Sequence, residues 1–405
     1  MRILHTSDWH LGQHFIGRSR AAEHQAFLHW LVAQVTELQI DAIIVAGDIF
    51  DTATPPSYAR ELYNQFIGAL QSSRCQLVIL AGNHDAAAVL NESKNLLQYL
   101  NTRVFAGGSA QLSEQLLVLQ DQQQQPAALL CAVPFLRARD LLQSRAGQSA
   151  GDKQQSLQQA IAEHYQQLYA LAQQYNAQHH LQLPIIMTGH LTTLGVSRSE
   201  SVRDIYIGSL EAFPADAFPA ADYIALGHIH QRQQLSAAGD IRYSGSPIAL
   251  SFDEAGQQKQ LWLLEFVGGN KTVTSLAVPC FQALCSIKTD LAGVPAKVQQ
   301  AVSALPAGET LWLELVIEET DAYLSDLQQR IETQLQDLPV ELLRLRRQRT
   351  NQAAGLTVAA QQSLAELSAA EVWQARLETE SLSAEQQQQL TSLHQQVLEK
   401  VQEAQ

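Results

Sequence analysis

Five times along this chain a run of apolar, β-prone residues stops at a side chain able to bind a metal. The runs are Ile3-Leu4 ending at Asp8 and His10, Ile43–Ala46 ending at Asp48, Leu77–Ala81 ending at Asn83 and His84, Pro184–Thr188 ending at His190, and Tyr223–Leu226 ending at His228 and His230. Strand ends are where an α/β scaffold presents its chemistry. A single Gly-Asp or Gly-His junction says little, because Gly commonly ends a strand and His often sits satisfied in a core. Five such junctions in one chain point to an α/β domain with a metal site at its strand ends.

The donor types narrow the chemistry. Asp8 and His10 are two positions apart, so in an extended segment their side chains leave the same face of the backbone and can share one ion. Asp48 carries two carboxylate oxygens and can bridge two cations while reducing their repulsion. Asn83 offers an amide oxygen, and His190, His228 and His230 offer imidazole nitrogens. This mixed oxygen and nitrogen set fits manganese, iron or zinc, not calcium or a thiolate zinc site. Two ions about 3.5–4 Å apart are the standard arrangement for in-line attack on phosphorus, which makes the implied class metal-dependent phosphoester hydrolysis.

Two neighbours read as proton handlers. His84 directly follows Asn83, and adjacent residues at a strand end point apart, so one reaches the metal and the other can face substrate. With an ordinary pKa near 6.5, a His beside the scissile phosphate can protonate the departing oxygen. Asp51, three residues beyond Asp48, is a candidate to hold that imidazole in one tautomer and favour its charged form. The alternative for Asp51, and equally for Asp85, is an ordinary turn carboxylate.

Asp8-Trp9-His10, Gly47-Asp48-Ile49-Phe50-Asp51, Gly82-Asn83-His84-Asp85, Gly189-His190 and Gly227-His228-Ile229-His230 form, in this order, a signature that resembles the calcineurin-like metallophosphoesterases. The opening stretch Met1 to Gly12, the stretch Thr52–Arg60, Arg203 to Gly208 and Tyr243-Ser244-Gly245-Ser246-Pro247 resemble, within them, the SbcD family of nuclease subunits. That family is the bacterial counterpart of the double-strand-break repair nuclease of eukaryotes and archaea. The resemblance implies a two-sheet sandwich flanked by helices, with a small α/β capping domain and a C-terminal helical tail. It assigns Asp8, His10, Asp48 and His230 to one metal, and Asp48, Asn83, His190 and His228 to the other. It makes His84 the catalytic histidine and suggests manganese. Archaeal relatives carry a second His where this chain has Asp51, whereas the wider superfamily carries an Asp there to orient the histidine of the Asn-His motif. The activity implied is exonuclease and endonuclease cleavage of DNA ends and hairpins, in repair, replication and recombination.

The charge balance sits awkwardly with a DNA substrate. A net charge of −14 opposes attraction to a polyanion, and autonomous DNA-binding domains are usually basic. DNA affinity must be local or borrowed. Local candidates are Arg18 and Arg20 after the first motif, Arg137 and Arg139 after Pro134-Phe135, and Arg198 and Arg203 after His190, all in loops leaving motif-bearing strands. The bland alternative is a set of solvated loop arginines.

At 405 residues and 46% apolar, the chain has material for more than one domain. Residues 1–275 alternate strands with helical stretches, among them Ala21–Leu38, Tyr58–Leu70, Asn91–Leu100 and a long Gln-rich helix over Gln148–His180. His164, His179 and His180 on that last helix read as surface residues. The resemblance makes the region around Tyr58–Leu70 and Asn91–Leu100 a homodimer contact within a heterotetramer, although covering the core explains these helices equally well. Residues 276–349 read as a compact α/β unit of strands Leu284–Ile287, Leu311–Ile317 and Val340–Leu345 with helices Ala296–Ala304 and Tyr323–Leu335. Its terminal Arg344, Arg346, Arg347 and Arg349 are the densest basic cluster, and they also fit the solvent face of an edge strand.

After a polar linker, 350–362, residues 363–405 read as two short amphipathic helices, Ser363–Leu377 and Ala384–Ala404, with seven acids against two bases. Such helices need a partner, either the body of this protein or another chain. The resemblance implies the coiled-coil base of an SbcC-type ATPase. The chain itself has no G-x-x-x-x-G-K-[ST] loop, so any ATP dependence comes from elsewhere. The start resembles no signal peptide and no apolar run reaches about 18 residues. The expected location is cytoplasmic, nucleoid-associated when bound to DNA. Cys75, Cys131, Cys280 and Cys285 lack a zinc spacing and read as reduced thiols. A small-nucleotide phosphodiesterase of the same superfamily is the alternative function; it needs neither a capping unit nor a partner-seeking tail.

Overall fold

The computed structural model describes residues 1–109, 111–141, 150–193, 196, 199, 201–202, 212–235, 240–317, 326–347, 373, 388 and 390–394. Two six-stranded sheets dominate it. The first runs Asn270–Ala277, Gln260–Val267, Arg2–Thr6, Ala42–Ala46, Gln76–Leu80, Thr102–Phe105, with the last four strands parallel. The second runs Gln233–Gln234, Ile241–Tyr243, Tyr223–Gly227, Ile185–His190, Pro126–Cys131, Leu116–Gln120, parallel from Ile241–Tyr243 through Pro126–Cys131.

Period-two patterning explains how the sheets stack. Because successive strand side chains point to opposite faces, Ile3, Ile44, Val78 and Leu80 meet Leu130, Ile186 and Ala225 of the other sheet in one buried cluster. The alternate residues Leu4, Ile43, Val45, Leu77 and Ile79 pack instead against Phe27, Leu31 and Val35 of helix Ala21–Glu37 and Phe66 and Leu70 of helix Ser57–Leu70. The outer face of the second sheet buries Leu129, Met187 and Ile224 against Leu157, Ile161, Tyr165 and Leu168 of helix Ala150–Gln178. Both sheets are thus covered on both faces, which is why their parallel strands read as continuous apolar runs.

The helices differ from expectation in two places. The stretch Asn91–Leu100 is broken into Ala87–Asn91 and Lys94–Gln98. His164 is buried, not a surface residue; it lies three residues after Ile161 and four before Leu168, inside the stripe that faces the sheet. Burial lowers its pKa below the ordinary value.

A third sheet, Leu284–Thr289, Leu311–Ile317, Val340–Arg347, carries helices Val294–Val302 and Leu327–Leu335. Most of it clusters in the same compact unit as the two sandwich sheets. Trp312 stacks on Phe15 at 5.8 Å, and the Arg344 guanidinium lies over Phe252 at 5.3 Å. Val340–Arg347 is an edge strand, and Arg344 and Arg346 share one face of it, where both reach buried Glu314. A second unit comprises Ile317–Leu327 and Arg347–Gln405; within it Trp373 stacks on His394 at 4.3 Å. The linker 350–362 and nearly all of the two C-terminal helices lie outside the described residues. Among the described residues no helix is long and apolar enough to cross a membrane.

Arg20, expected as a loop cation able to reach phosphate, is instead buried and paired inside the protein. It is 1% exposed, its Nε donates to Glu23 at 2.7 Å, and its Nη1 donates to Gln13 and to the Ala249 carbonyl. Arg20→Ala is therefore expected to cost about 3–5 kcal/mol of stability, because it strands buried Glu23; denaturant unfolding measures it.

Candidate metal centre

The carboxyl ends of the central strands of both sheets bring the seven expected ligands together. Asp8, His10 and His230 form one group whose donor atoms lie within 4.8 Å of one another, and Asp48, His190 and His228 form a second. Asn83 joins the second group, its Oδ1 lying 2.9 Å from His190 Nε2 and 3.1 Å from His228 Nδ1. His10, Asp48 and His84 make a third overlapping group, so proximity alone does not separate His84 from the ligands.

The backbone reaches this arrangement by leaving the extended conformation. Asp8, His10, Asp48 and His228 all have positive φ, at 55°, 47°, 52° and 95°. Side chains other than glycine rarely adopt this region, and such strain concentrates at functional sites. Asp8 and His10 thus converge through a left-handed turn and not through a shared strand face. Gly47 has φ 95°, and a Cβ there would collide with the His190 ring; a Cβ on Gly82 would collide with Asp48. Only glycine admits these close approaches.

Asp48 sits at the centre. Its Oδ1 accepts the His84 backbone N–H at 2.9 Å, which leaves Oδ2 facing His190 Nε2 at 3.3 Å, His10 Nε2 at 3.6 Å and His84 Nε2 at 4.0 Å. Asp48 thus presents Oδ2 to the three imidazoles while Oδ1 holds the Asn83-His84 turn. Burial opposes its charge, yet His190, then His10 and His84, hold its carboxyl well below the usual carboxylate range. Burial likewise opposes the charged form of His190, but Asp48 outweighs it and pushes the imidazole up to about 9. His190 Nδ1 donates to the Ala46 carbonyl at 2.9 Å, so Nε2 is the nitrogen left for a ligand role, and ligation there requires loss of its proton. His228 is held neutral, its pKa well below the ordinary value because of burial and the His190 charge.

His10 Nε2, Asp48 Oδ2 and His228 Nε2 are buried without a hydrogen-bond partner. Buried polar atoms are nearly always satisfied. Divalent cations between these groups would satisfy all three, and the carboxylate, amide and imidazole donors fit such ions.

Asp51 touches two of the histidines. Its carboxylate meets His10 Nδ1 at 3.1 Å, while its backbone carbonyl accepts from His84 Nδ1 at 2.6 Å. The side chain thus orients His10, and the main chain orients His84. Asp85 is a latch: its carboxylate accepts N–H groups of Ile49, Phe50 and Gly82 at 3.1, 3.0 and 2.8 Å, tying the Asp48 turn to the Asn83 turn. Burial, then the Asp48 charge, pushes its pKa up to about 6.

Among the arginines, Arg18 pairs with Glu341 of the third sheet. Arg137 donates to the Asp85 carbonyl at 3.0 Å, and Arg139 is largely exposed. Arg198 and Arg203 lie outside the described residues. Sequence reasoning missed Ser201, Glu254 and Lys259 behind His230, and Ser7 and Ser244, whose hydroxyls meet at 2.8 Å beside Asp8. The Tyr243–Pro247 stretch stands out in the sequence, but nothing in it announces what it holds.

This geometry, seven ligand candidates at the strand ends of a helix-covered double sheet, defines a calcineurin-like phosphoesterase. The family model "Calcineurin-like phosphoesterase" matches residues 1–232, and "Type 5 capsule protein repressor C-terminal domain" matches residues 280–381. The SbcD protein of the SbcCD nuclease of Escherichia coli K12 is 50% identical over 97% of this chain and 96% of its own length. The SbcD proteins of Rhodobacter capsulatus and Bacillus subtilis are 39% and 32% identical, covering 66% and 67% of this chain and 67% and 68% of their own lengths. The chain belongs to the SbcD family.

Proposed function

We propose that this protein is the nuclease subunit of an SbcCD-type complex, hydrolysing DNA phosphodiester bonds as an exonuclease and endonuclease. The observation that carries the reading is the unsatisfied set of His10, Asp48 and His228 atoms in the buried centre, on a chain half identical to an SbcCD nuclease component over nearly its full length. Asp8, His10, Asp48 and His230 would hold one divalent ion, and Asp48, Asn83, His190 and His228 the other, with manganese the favoured metal. When bound, the ions supply Lewis-acid activation of water and neutralise charge on phosphate.

The chain's own groups do the rest. Asp51 fixes His10 through its carboxylate and His84 through its carbonyl. With Nδ1 engaged, His84 has Nε2 to offer a proton to the departing 3′ oxygen. Arg18, Arg137, Arg139, Arg198 and Arg203 remain the candidates for phosphate contact. A groove of ≈ 820 Å³ that includes Lys94, Arg103, Arg137 and Arg139 supports such contact beside the Asp85 turn.

In this reading residues 1–275 are the nuclease domain, 276–349 the cap and 363–405 the segment that binds the ATPase coiled coil. The large exposed side chains Leu96 and Tyr99, at 63% and 88%, support a homodimer surface. The test is turnover of linear DNA against a cyclic nucleotide under the same manganese concentration. Turnover of DNA is expected to dominate; preference for the cyclic nucleotide would favour a small-nucleotide phosphodiesterase. Truncation after Ala360 is expected to abolish co-purification with the ATPase while leaving metal binding intact.

A further inference from the structure

We infer that Ser201 and Glu254, with Lys259 behind them, form a built support that sets the ring nitrogen and the carbonyl of His230 in place for its metal. The inference rests on the reading of His230 as a ligand. It concerns residues that bear no ligand themselves.

Glu254 is 0% exposed, and a carboxylate is almost never fully buried unless paired. Its Oε1 accepts from Ser201 Oγ at 2.6 Å, while the Ser251 hydroxyl, 3.1 Å away, donates to Asp253. Its Oε2 accepts from Lys259 Nζ at 2.6 Å, Leu250 N–H at 3.1 Å and Ser246 Oγ at 3.3 Å. Such a group is expensive to keep inside unless every partner is present, so the four donors mark a rigid fixture.

That fixture faces His230 from two sides. Ser201 Oγ lies 2.6 Å from His230 Nδ1, and because its own proton goes to Glu254 it accepts the Nδ1 proton. The ring is thereby locked in the tautomer whose Nε2 carries the free lone pair. Lys259 Nζ and the Ser246 N–H donate to the His230 carbonyl at 3.2 and 3.1 Å, fixing the main chain that carries the ring. Ser201 is itself held, since its neighbour Val202 packs on the second core cluster and Ser199 Oγ lies 2.9 Å away.

The arrangement differs from that behind the other ligands. His190 is oriented by a backbone carbonyl and His10 by Asp51, a half-buried carboxylate. His230 alone among these three is held through a hydroxyl that is itself fixed by a fully buried carboxylate. Ser201 and Glu254 are therefore positioning residues for one metal and not for both.

The experiment is calorimetric titration of the metal-free full-length chain with manganese, for Ser201→Ala, Ser201→Thr and Glu254→Gln. Ser201→Ala is expected to weaken the site containing His230 by about 10–100-fold, the usual effect of removing a group that orients a metal-bound histidine. The site containing Asn83, His190 and His228 should keep its affinity, and Ser201→Thr, which keeps the hydroxyl, should bind at both sites as the wild type does. Glu254→Gln should act on the same site as Ser201→Ala. Wild-type affinity at both sites in Ser201→Ala overturns the inference, as does equal weakening of both sites with a lowered melting temperature. Because Glu254→Gln can fail to fold, the half-buried Ser201 decides the outcome. Since the titration contains no nucleic acid, its result stands apart from whether the substrate is DNA.

Discussion

Asp48→Asn is expected to lower cleavage by about 1000-fold or more and to weaken manganese binding at both sites. The amide keeps the size of the carboxylate and can still accept the His84 N–H through its oxygen, so the fold should persist. What it loses is the negative charge that faces His190, His10 and His84. The carboxylate's Oδ2 faces imidazoles of both candidate ligand groups, and without its charge two dications held there would have Asp8 as the remaining carboxylate among the proposed ligands. Metal pairs of this kind contribute several kcal/mol of transition-state stabilisation, and each 1.36 kcal/mol is a factor of ten in rate, which gives the stated loss. Calorimetry for the metals and single-turnover cleavage for the rate check the two halves separately. Retention of both ions with normal cleavage would remove Asp48 from the bridging role.

His84→Gln is expected to behave in the opposite way, keeping both ions and losing about 100- to 10,000-fold in cleavage, the range for a positioned general acid. His84 lies within reach of the site, its ring 4.6 Å from that of His10. Its Nδ1 is committed to the Asp51 carbonyl at 2.6 Å, so Nε2 is the atom in play. If the variant instead loses one ion, His84 is a ligand and belongs to the third overlapping group with His10 and Asp48. If it cleaves like wild type with both ions present, the histidine has no part in proton transfer.

The seven ligand candidates are legible because strands end where side chains change from apolar to metal-binding, a local pattern that needs no knowledge of contacts. The sandwich is legible for the same reason, since alternation at Ile3-Leu4 and Ile43 to Ala46 assigns each residue to a face. What stays hidden is long-range or conformational. Nothing local shows that Asp8 and His10 adopt left-handed backbone, because the expectation of a shared face assumes an extended one. Arg18 and Arg20 look alike in sequence, yet one is exposed and the other is buried against Glu23 and Ala249. Asp51 and Asp85 both resemble turn carboxylates, and only the packed turns reveal which backbone and imidazole groups they hold. Glu254 meets Ser201 across 53 positions, a pairing with no periodicity to announce it. The burial of His164 escapes notice because a polar residue within a Gln-rich helix hides the stripe it belongs to.

Whether the protein is a DNA nuclease is decided by cleavage of a defined DNA hairpin by the full-length chain with manganese, with and without the ATPase partner and ATP. Cleavage is expected to require the metal, to disappear on chelation and to be regulated by the partner and ATP. Turnover of a cyclic nucleotide by a protein that leaves the hairpin intact, even with partner, ATP and manganese all present, would contradict the nuclease reading.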